Sequence, residues 1–462
     1  MGTLIVDLKA VLTSNTIVLF AGVLSNFLIP KYLGLSEYAF FKTYGLYVSY
    51  VGVLSLGFVD GMYLKYGGLK RRDVSTAELT SHFWFYAGLE GGMSIVLIIL
   101  STISCSSLLL AFGLALFSRN ILGFYKLFYQ AIGEFKAFSA INALVPMLNL
   151  TSTIVLIFFV KTQYGTSFII ADLSVSYVVL FLFSAKRLPI FHIDRLDLTD
   201  KLRTIAIGVF VMIGNLSSMF FYSMDRWFVK ILLRTEDFAF YSFATSMMGM
   251  VMILVSSVAM TFYPMLVRRQ EEEGLLRSLK SYLMILGVFA GAAYFGFDFI
   301  VNLILRDYLP SLEVIAILFA GFPAISVINA IYVNMYKAQK VEKKYFFTVF
   351  GMVAVSFSLN VLAVAISKSN WTIAAATTIA FYFWFFFSSK DFKGAKTNPR
   401  EIAYLSAFLM LFFSTTRLLP WWIGLPLYIS GILGITLLFY KKEFLDLIRK
   451  VLGAFKIRTS QN

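Results

Sequence analysis

The chain has 462 residues, a net charge of +15 and a composition that is 59% hydrophobic but only 14% charged, with a mean hydropathy of +0.80. Soluble domains do not carry that balance, and apolar segments of about 20 residues, long enough to cross a bilayer, recur along the whole chain and leave no stretch for a soluble module. A single cysteine, Cys105, excludes an internal disulfide; two histidines without a Cys cluster, and basic residues at segment ends rather than in an aromatic-interleaved stripe, leave no metal, cofactor or nucleic-acid partner to expect.

In chain order the hydropathy pattern predicts an all-α, polytopic membrane protein with fourteen spans, at about 9–30, 43–66, 81–103, 106–130, 138–160, 165–186, 204–232, 238–267, 278–305, 311–336, 345–366, 371–389, 401–418 and 421–440. The first follows Lys9, and Asn15, Asn26 and Pro30 replace any small-residue cleavage pattern, so it reads as a retained helix rather than a signal peptide. With the N-terminus in the cytoplasm, connections on that side hold 30 Lys and Arg residues and those opposite hold 8, which places both termini inside; Arg119 and Arg226 lie within spans. His82 and His192, at or in cytoplasmic connections, read as solvated, and the aromatic run 381–387 in span twelve reads as lipid-facing bulk. Beyond span fourteen, Phe444, Leu445, Ile448, Val451, Leu452 and Phe455 recur at helical spacing opposite basic residues, the pattern of an amphipathic helix on the anionic leaflet.

The chain is built twice. SEYAFFKTYG (36–45) matches EDFAFYSFAT (236–245) at an offset of 200, and FYQAIGEFKAF (128–138) matches MYKAQKVEKKY (335–345). Six spans per half is an even number, so both halves enter the membrane the same way. The expected organisation is therefore 1–200 and 201–398 as two six-helix bundles in pseudo-twofold repeat, two further helices over 399–440, and a basic tail over 441–462.

Charged residues inside spans cost about 2.5–3.5 kcal/mol each on insertion scales, which marks them as functional candidates. On span seven, Asn215, Ser218, Tyr222 and Asp225 form one polar stripe; on span one Asn15, Gly22 and Ser25 do the same. Arg119 lies near the middle of span four with Asn120 beside it, and Arg226 and Lys230, four residues apart, share a face of span seven. These interior polar and charged side chains make Arg119, Arg226, Lys230, Asn215, Tyr222 and Asn15 the candidate substrate contacts. Glu90 is a possible structural partner for Arg119, and Asp225, Glu90, Asp172 and Asp298 are candidate proton or cation relays. Pro146 and Pro323 fall within spans five and ten, where a kink would serve gating or packing. No paired nucleophile and base and no phosphate loop occurs, and the longest connection, between Arg187 and Arg203, is about 17 residues, so the chain does not read as an enzyme.

Three segments carry a resemblance. IPKYLGLSEYAFFKTYGLYVSYVGVLSLGFVDGMYLKYGG (29–68), SMDRWFVKILLRTEDFAFYSFATSM (223–247) and FYQAIGEFKAF resemble bacterial polysaccharide and O-antigen flippases of the multidrug/oligosaccharidyl-lipid/polysaccharide exporter superfamily, with Ala39 and Ala239 standing where that pattern commonly has glycine. The resemblance implies two six-helix bundles around a cavity that opens alternately to each side, and flipping of undecaprenyl-pyrophosphate-linked repeat units to the periplasmic leaflet of the inner membrane, in company with membrane lipid, a polysaccharide polymerase and a chain-length regulator. Multidrug efflux and peptidoglycan-precursor flipping are the alternatives within the same superfamily.

Overall fold

A backbone in hydrocarbon must satisfy its own hydrogen bonds, so apolar segments of this length become helices. The computed structural model describes residues 2–187, 197–268, 272–339 and 341–459, and among them it contains eighteen α-helices and no strand. His192, and Arg195, Arg269 and Lys340 among the basic residues counted above, lie outside these ranges.

The chain divides into two compact units, Met1–Met219 and Phe220–Asn462. The first holds α1 (Gly2–Tyr32), α2 (Leu35–Val48), α3 (Phe58–Tyr66), α4 (Thr76–Ile103), α5 (Ser107–Ala131), α6 (Phe135–Ile154), α7 (Gly165–Arg187) and the start of α8 (Leu198–Leu232). The second holds the end of α8, then α9 (Thr235–Arg268), α10 (Glu273–Ala290), α11 (Ala293–Ile304), α12 (Ser311–Phe319), α13 (Phe322–Val327), α14 (Val333–Ala338), α15 (Glu342–Ile366), α16 (Asn370–Ser389), α17 (Pro399–Leu418) and α18 (Trp421–Thr459). Each of the fourteen predicted spans falls on a helix or on consecutive helices. Among the described residues, ten helices are long and apolar enough to cross a membrane, or twelve if each of two bent pairs counts as one crossing. The remaining two spans correspond to α9 and α17; α17 carries Arg400, Glu401 and Arg417 within 20 residues, which dilutes its hydropathy.

The predicted second span is broken, and the Leu-Gly-Phe motif is the reason. Leu56 and Gly57 both adopt positive φ, +50° and +80°, and the chain bends by 60° between the segments Leu35–Ser55 and Phe58–Tyr66. Glycine is required here twice over: a Cβ on Gly57 would lie 2.5 Å from the Val209 backbone nitrogen, because α3 and α8 cross with Gly57 against Gly208. In the second unit, Pro323 opens α13 after a break at Ala320–Gly321, where the chain bends by 47°. Pro146 sits within α6 without breaking it.

The sequence repeat has a structural counterpart in each unit. Glu37, at the start of α2, accepts a hydrogen bond from Gly165 N (2.7 Å), satisfying an orphan amide where α7 begins. Asp237, 200 residues later at the start of α9, accepts from the Asn370 side chain at the first residue of α16 (3.0 Å to its carbonyl).

Three readings change. His82 is fully buried rather than solvated: Phe58 and Tyr66 pack on its ring, Nδ1 lies 2.8 Å from Glu78 O, and Nε2 lies 3.1 Å from Asp200 Oδ2, an acid that Lys65 also holds at 2.7 Å. In the aromatic run of α16, Phe381, Trp384 and Phe385 are buried while Phe383 and Phe387 stay exposed, because one face of this helix meets α12 and α15. The tail is helical, but Tyr440 interrupts α18 with φ −133° and ψ 35°, and the turn beyond it docks on α10 through Phe444 stacked on Phe289 and a Tyr282 hydroxyl donating to Asp446. α10 is also tied to α17 by a fully buried ion pair, Lys280 Nζ to Glu401 Oε2 at 2.6 Å.

Candidate functional site

Small residues build the centre of the first unit. Ala111 and Ala115 on α5 pack with Tyr44 of α2 and Ile169 of α7, letting the three helices close up. The next residue on that face of α5, four further on, is Arg119. Its Nη2 meets Asp172 Oδ1 of α7 at 2.5 Å. The same carboxylate oxygen accepts from Asn149 Nδ2 of α6, and Oδ2 accepts from the Tyr44 hydroxyl, both at 2.8 Å. The acid that meets Arg119 is thus Asp172 rather than Glu90.

Arg119, Asp172 and Asn149 line a half-open cavity of about 390 Å³ between α1, α2, α5, α6 and α7. Gly22 and Ser25, from the polar stripe of span one, line it with Asn26, which accepts from Lys42 Nζ at 3.2 Å. Asn15 lies two turns before Gly22 and accepts from Asn142 Nδ2 at 3.2 Å. The Arg119 Nε is buried with no hydrogen-bond partner, so one donor on this guanidinium is unused.

Glu90 belongs to a different polar group. Its Oε2 accepts from Asn120 Nδ2 at 2.7 Å, and its Oε1 is buried without a partner. Asn120 and Tyr86 line a cavity of about 260 Å³ together with Asp60 and Asn215, whose amide donates to Asp60 at 3.4 Å.

In the second unit Asp225 is buried and fully occupied: it accepts from the Tyr241 hydroxyl at 2.7 Å, from the Arg226 backbone amide at 2.7 Å and from Thr377 at 3.4 Å. The Arg226 Nε is buried without a partner, and Lys230, one turn later, lies 5.3 Å from the centre of the Phe238 ring. Tyr222 donates to Asn329 at 2.9 Å, inside the π-helical turn Ile328–Tyr332, a type of distortion that concentrates at functional sites. Asp298 of α11 is held by its own helix, through Asn302.

The candidates therefore separate. Arg119 and Asp172 come together, Asn215 lines the second cavity while Glu90 is bonded to Asn120 of its wall, and Asp225, Arg226, Lys230 and Tyr222 belong to the second unit. Tyr44, Asn149, Lys42 and Tyr241 were not singled out from the sequence; Asn149 had a visible signal, since Asn142 and Asn149 are seven apart on one helix and so nearly superpose in projection. Cations and amides around this half-open cavity offer binding chemistry for an anion, with a matched carboxylate holding the guanidinium in place.

No protein-family model and no curated protein matches the chain by sequence. Solved structures match it in fold. The lipid II flippase MurJ in an inward closed conformation superposes with a TM-score of 0.67 at 14% identity, covering 96% of this chain and all of that one. A multidrug resistance MATE family transporter of the MOP superfamily, inward-facing, gives 0.54 at 12% identity, over 82% of this chain and 95% of that one. The chain is a multi-pass membrane protein with the fold of these transporters.

Proposed function

We propose that the protein flips a polyprenyl-pyrophosphate-linked oligosaccharide, an O-antigen or other polysaccharide repeat unit, from the cytoplasmic to the periplasmic leaflet of a bacterial inner membrane, by alternating access and with both termini cytoplasmic. The observation that carries this reading is the cavity into which Arg119, Lys42, Asn26 and Asn149 bring cationic and amide groups amid a largely apolar lining. The pyrophosphate is the costly part of such a cargo in a low-dielectric medium, and fixed cations and amide donors offset that cost while the prenyl chain stays in lipid. In this reading Arg119 draws in the pyrophosphate, Arg226 and Lys230 receive it on the far side, and Asn15, Asn215 and Tyr222 line the route. Asp172, Glu90, Asp225 and Asp298 are the groups through which an ion gradient would act.

Efflux of cationic drugs, the rival on the same fold, needs an acid free to meet a cation. The acid at the cavity, Asp172, is already held by Arg119, Tyr44 and Asn149. The test is Arg119→Ala in a strain that depends on this protein: surface glycan should fall and lipid-linked repeat units accumulate inside at normal protein level, whereas unchanged surface glycan would overturn the proposal.

A further inference from the structure

Two helices of the first unit repeat polar residues at a spacing of seven, and on a third an asparagine stands seven residues from a glycine of its polar stripe. α5 carries Arg119 and Lys126, α6 carries Asn149 and Asn142, and α1 carries Gly22 and Asn15. Seven residues fall about 20° short of two full turns, so each pair shares a face, separated by about 10 Å along the helix. The upper members line the cavity described above. The lower members meet one another: Lys126 Nζ donates to Asn142 Oδ1 at 2.7 Å, and Asn142 Nδ2 donates to Asn15 Oδ1 at 3.2 Å. The bundle thus holds two polar layers, one cation in α5 at each level.

The two cations differ in one respect. Arg119 is neutralised by Asp172, whereas Lys126 is half-buried and has no carboxylate partner among the described residues; it has the amide oxygen of Asn142 and the ring of Phe138 at 5.4 Å. An uncompensated ammonium held on a neighbouring helix inside a membrane bundle is costly. Donors are in surplus as well: an ammonium has three and Lys126 uses one, and the Asn15 amide is exposed and donates to nothing among the described residues. Net positive charge, spare donors and no acid describe an anion subsite.

We infer that Lys126, with Asn15 and Asn142, forms a second pyrophosphate subsite two helical turns from Arg119, so that the headgroup passes between two stations. Lys126 lies nearer the end of α5 that connects to Lys136, and takes the anion first. Arg119 takes it second, as the anion displaces Asp172, which keeps its hydrogen bonds from Tyr44 and Asn149. This rests on the reading of the protein as a carrier of a pyrophosphate headgroup.

The test is calorimetric titration of the full-length protein in lipid nanodiscs with two probes, inorganic pyrophosphate and farnesyl pyrophosphate. The wild type should bind, Lys126→Gln should weaken binding at least tenfold, Lys126→Arg should restore most of it, and Lys136→Gln, at an exposed lysine, should leave it unchanged. Loss with both probes assigns the pyrophosphate group itself, and loss with farnesyl pyrophosphate alone assigns its lipid-borne form. Wild-type affinity in Lys126→Gln, or equal loss in Lys136→Gln, would overturn the subsite. Asn15→Ala carries the same test, with a several-fold loss expected, if Lys126→Gln does not fold. Failure here with export still lost in Arg119→Ala removes only the subsite; Lys126-dependent binding with export intact in Arg119→Ala removes only the transport reading.

Discussion

Removing Asp172 should destabilise the protein more than removing the arginine it holds. In Asp172→Ala, the Arg119 side chain, 27% exposed, loses its one ion-pair partner among the described residues while its Nε is already without a hydrogen-bond partner. Breaking a buried pair from one side costs about 3–5 kcal/mol, and partial exposure puts this case at about 3. In Arg119→Ala, the Asp172 carboxylate keeps two donors, Tyr44 and Asn149, and the loss should be about 1–2 kcal/mol. At about 2–4 °C per kcal/mol for a unit of this size, Asp172→Ala should melt about 6–12 °C below wild type and Arg119→Ala about half as far below. The assay is thermal unfolding of the purified protein in detergent, with the double variant included. Because the double variant leaves no orphaned charge, it should be more stable than Asp172→Ala alone. Equal single effects, or a double variant equal to their sum, would show that the two side chains are not coupled as the geometry says.

Gly57→Val should cost about 2–5 kcal/mol, from left-handed strain plus overlap with α8, whereas Gly68→Ala, at φ +83° with open space around it, should lose only the strain, about 1–2 kcal/mol; equal loss of folded yield in the two would refute the close helix crossing. Glu401→Ala should cost about 3–5 kcal/mol by leaving the Lys280 ammonium unpaired, while Lys280→Met with Glu401→Leu should come within about 1 kcal/mol of wild type, measured by thermal unfolding. Cys105 is exposed between α4 and α5, and in the proposed orientation a membrane-impermeant maleimide should label it from the periplasm in intact cells, whereas Lys70→Cys in a Cys105→Ser background should label only after permeabilisation. Labelling of Lys70→Cys from outside would invert the topology.

Helix positions were legible because hydrophobic windows and their polar breaks are dictated by the solvent, although helices begin up to eight residues before the predicted spans and α18 runs 19 residues past the last one, since polar turns at the bilayer edge stay helical. The break at Leu56–Gly57 was not, since left-handed φ at a leucine is imposed by its setting and leaves no hydropathy signal. For the site, one-dimensional spacing identified Arg119 as interior but offered Glu90 as its partner: Glu90 is 29 residues away in sequence and Asp172 is 53, and only the packing of Ala111 and Ala115 against α2 and α7 chooses between them. The same holds for His82, whose ring is covered by α3 and met by Asp200 of α8, neither of which its own segment reveals. Lys126 was read as one more positive residue near a cytoplasmic boundary, and its amide partners on α6 and α1 give it a different character.

The buried Lys280–Glu401 pair also sets an order of events during synthesis. Its two residues are separated by 121 positions, which at about 5–20 residues per second is roughly 6–24 s of translation. Throughout that interval α10 is made and its ammonium has no counter-charge. A nascent chain that stops before α17 therefore carries a lysine whose counter-charge has not yet been made, and the pair between α10 and α17 can close only when most of the chain exists.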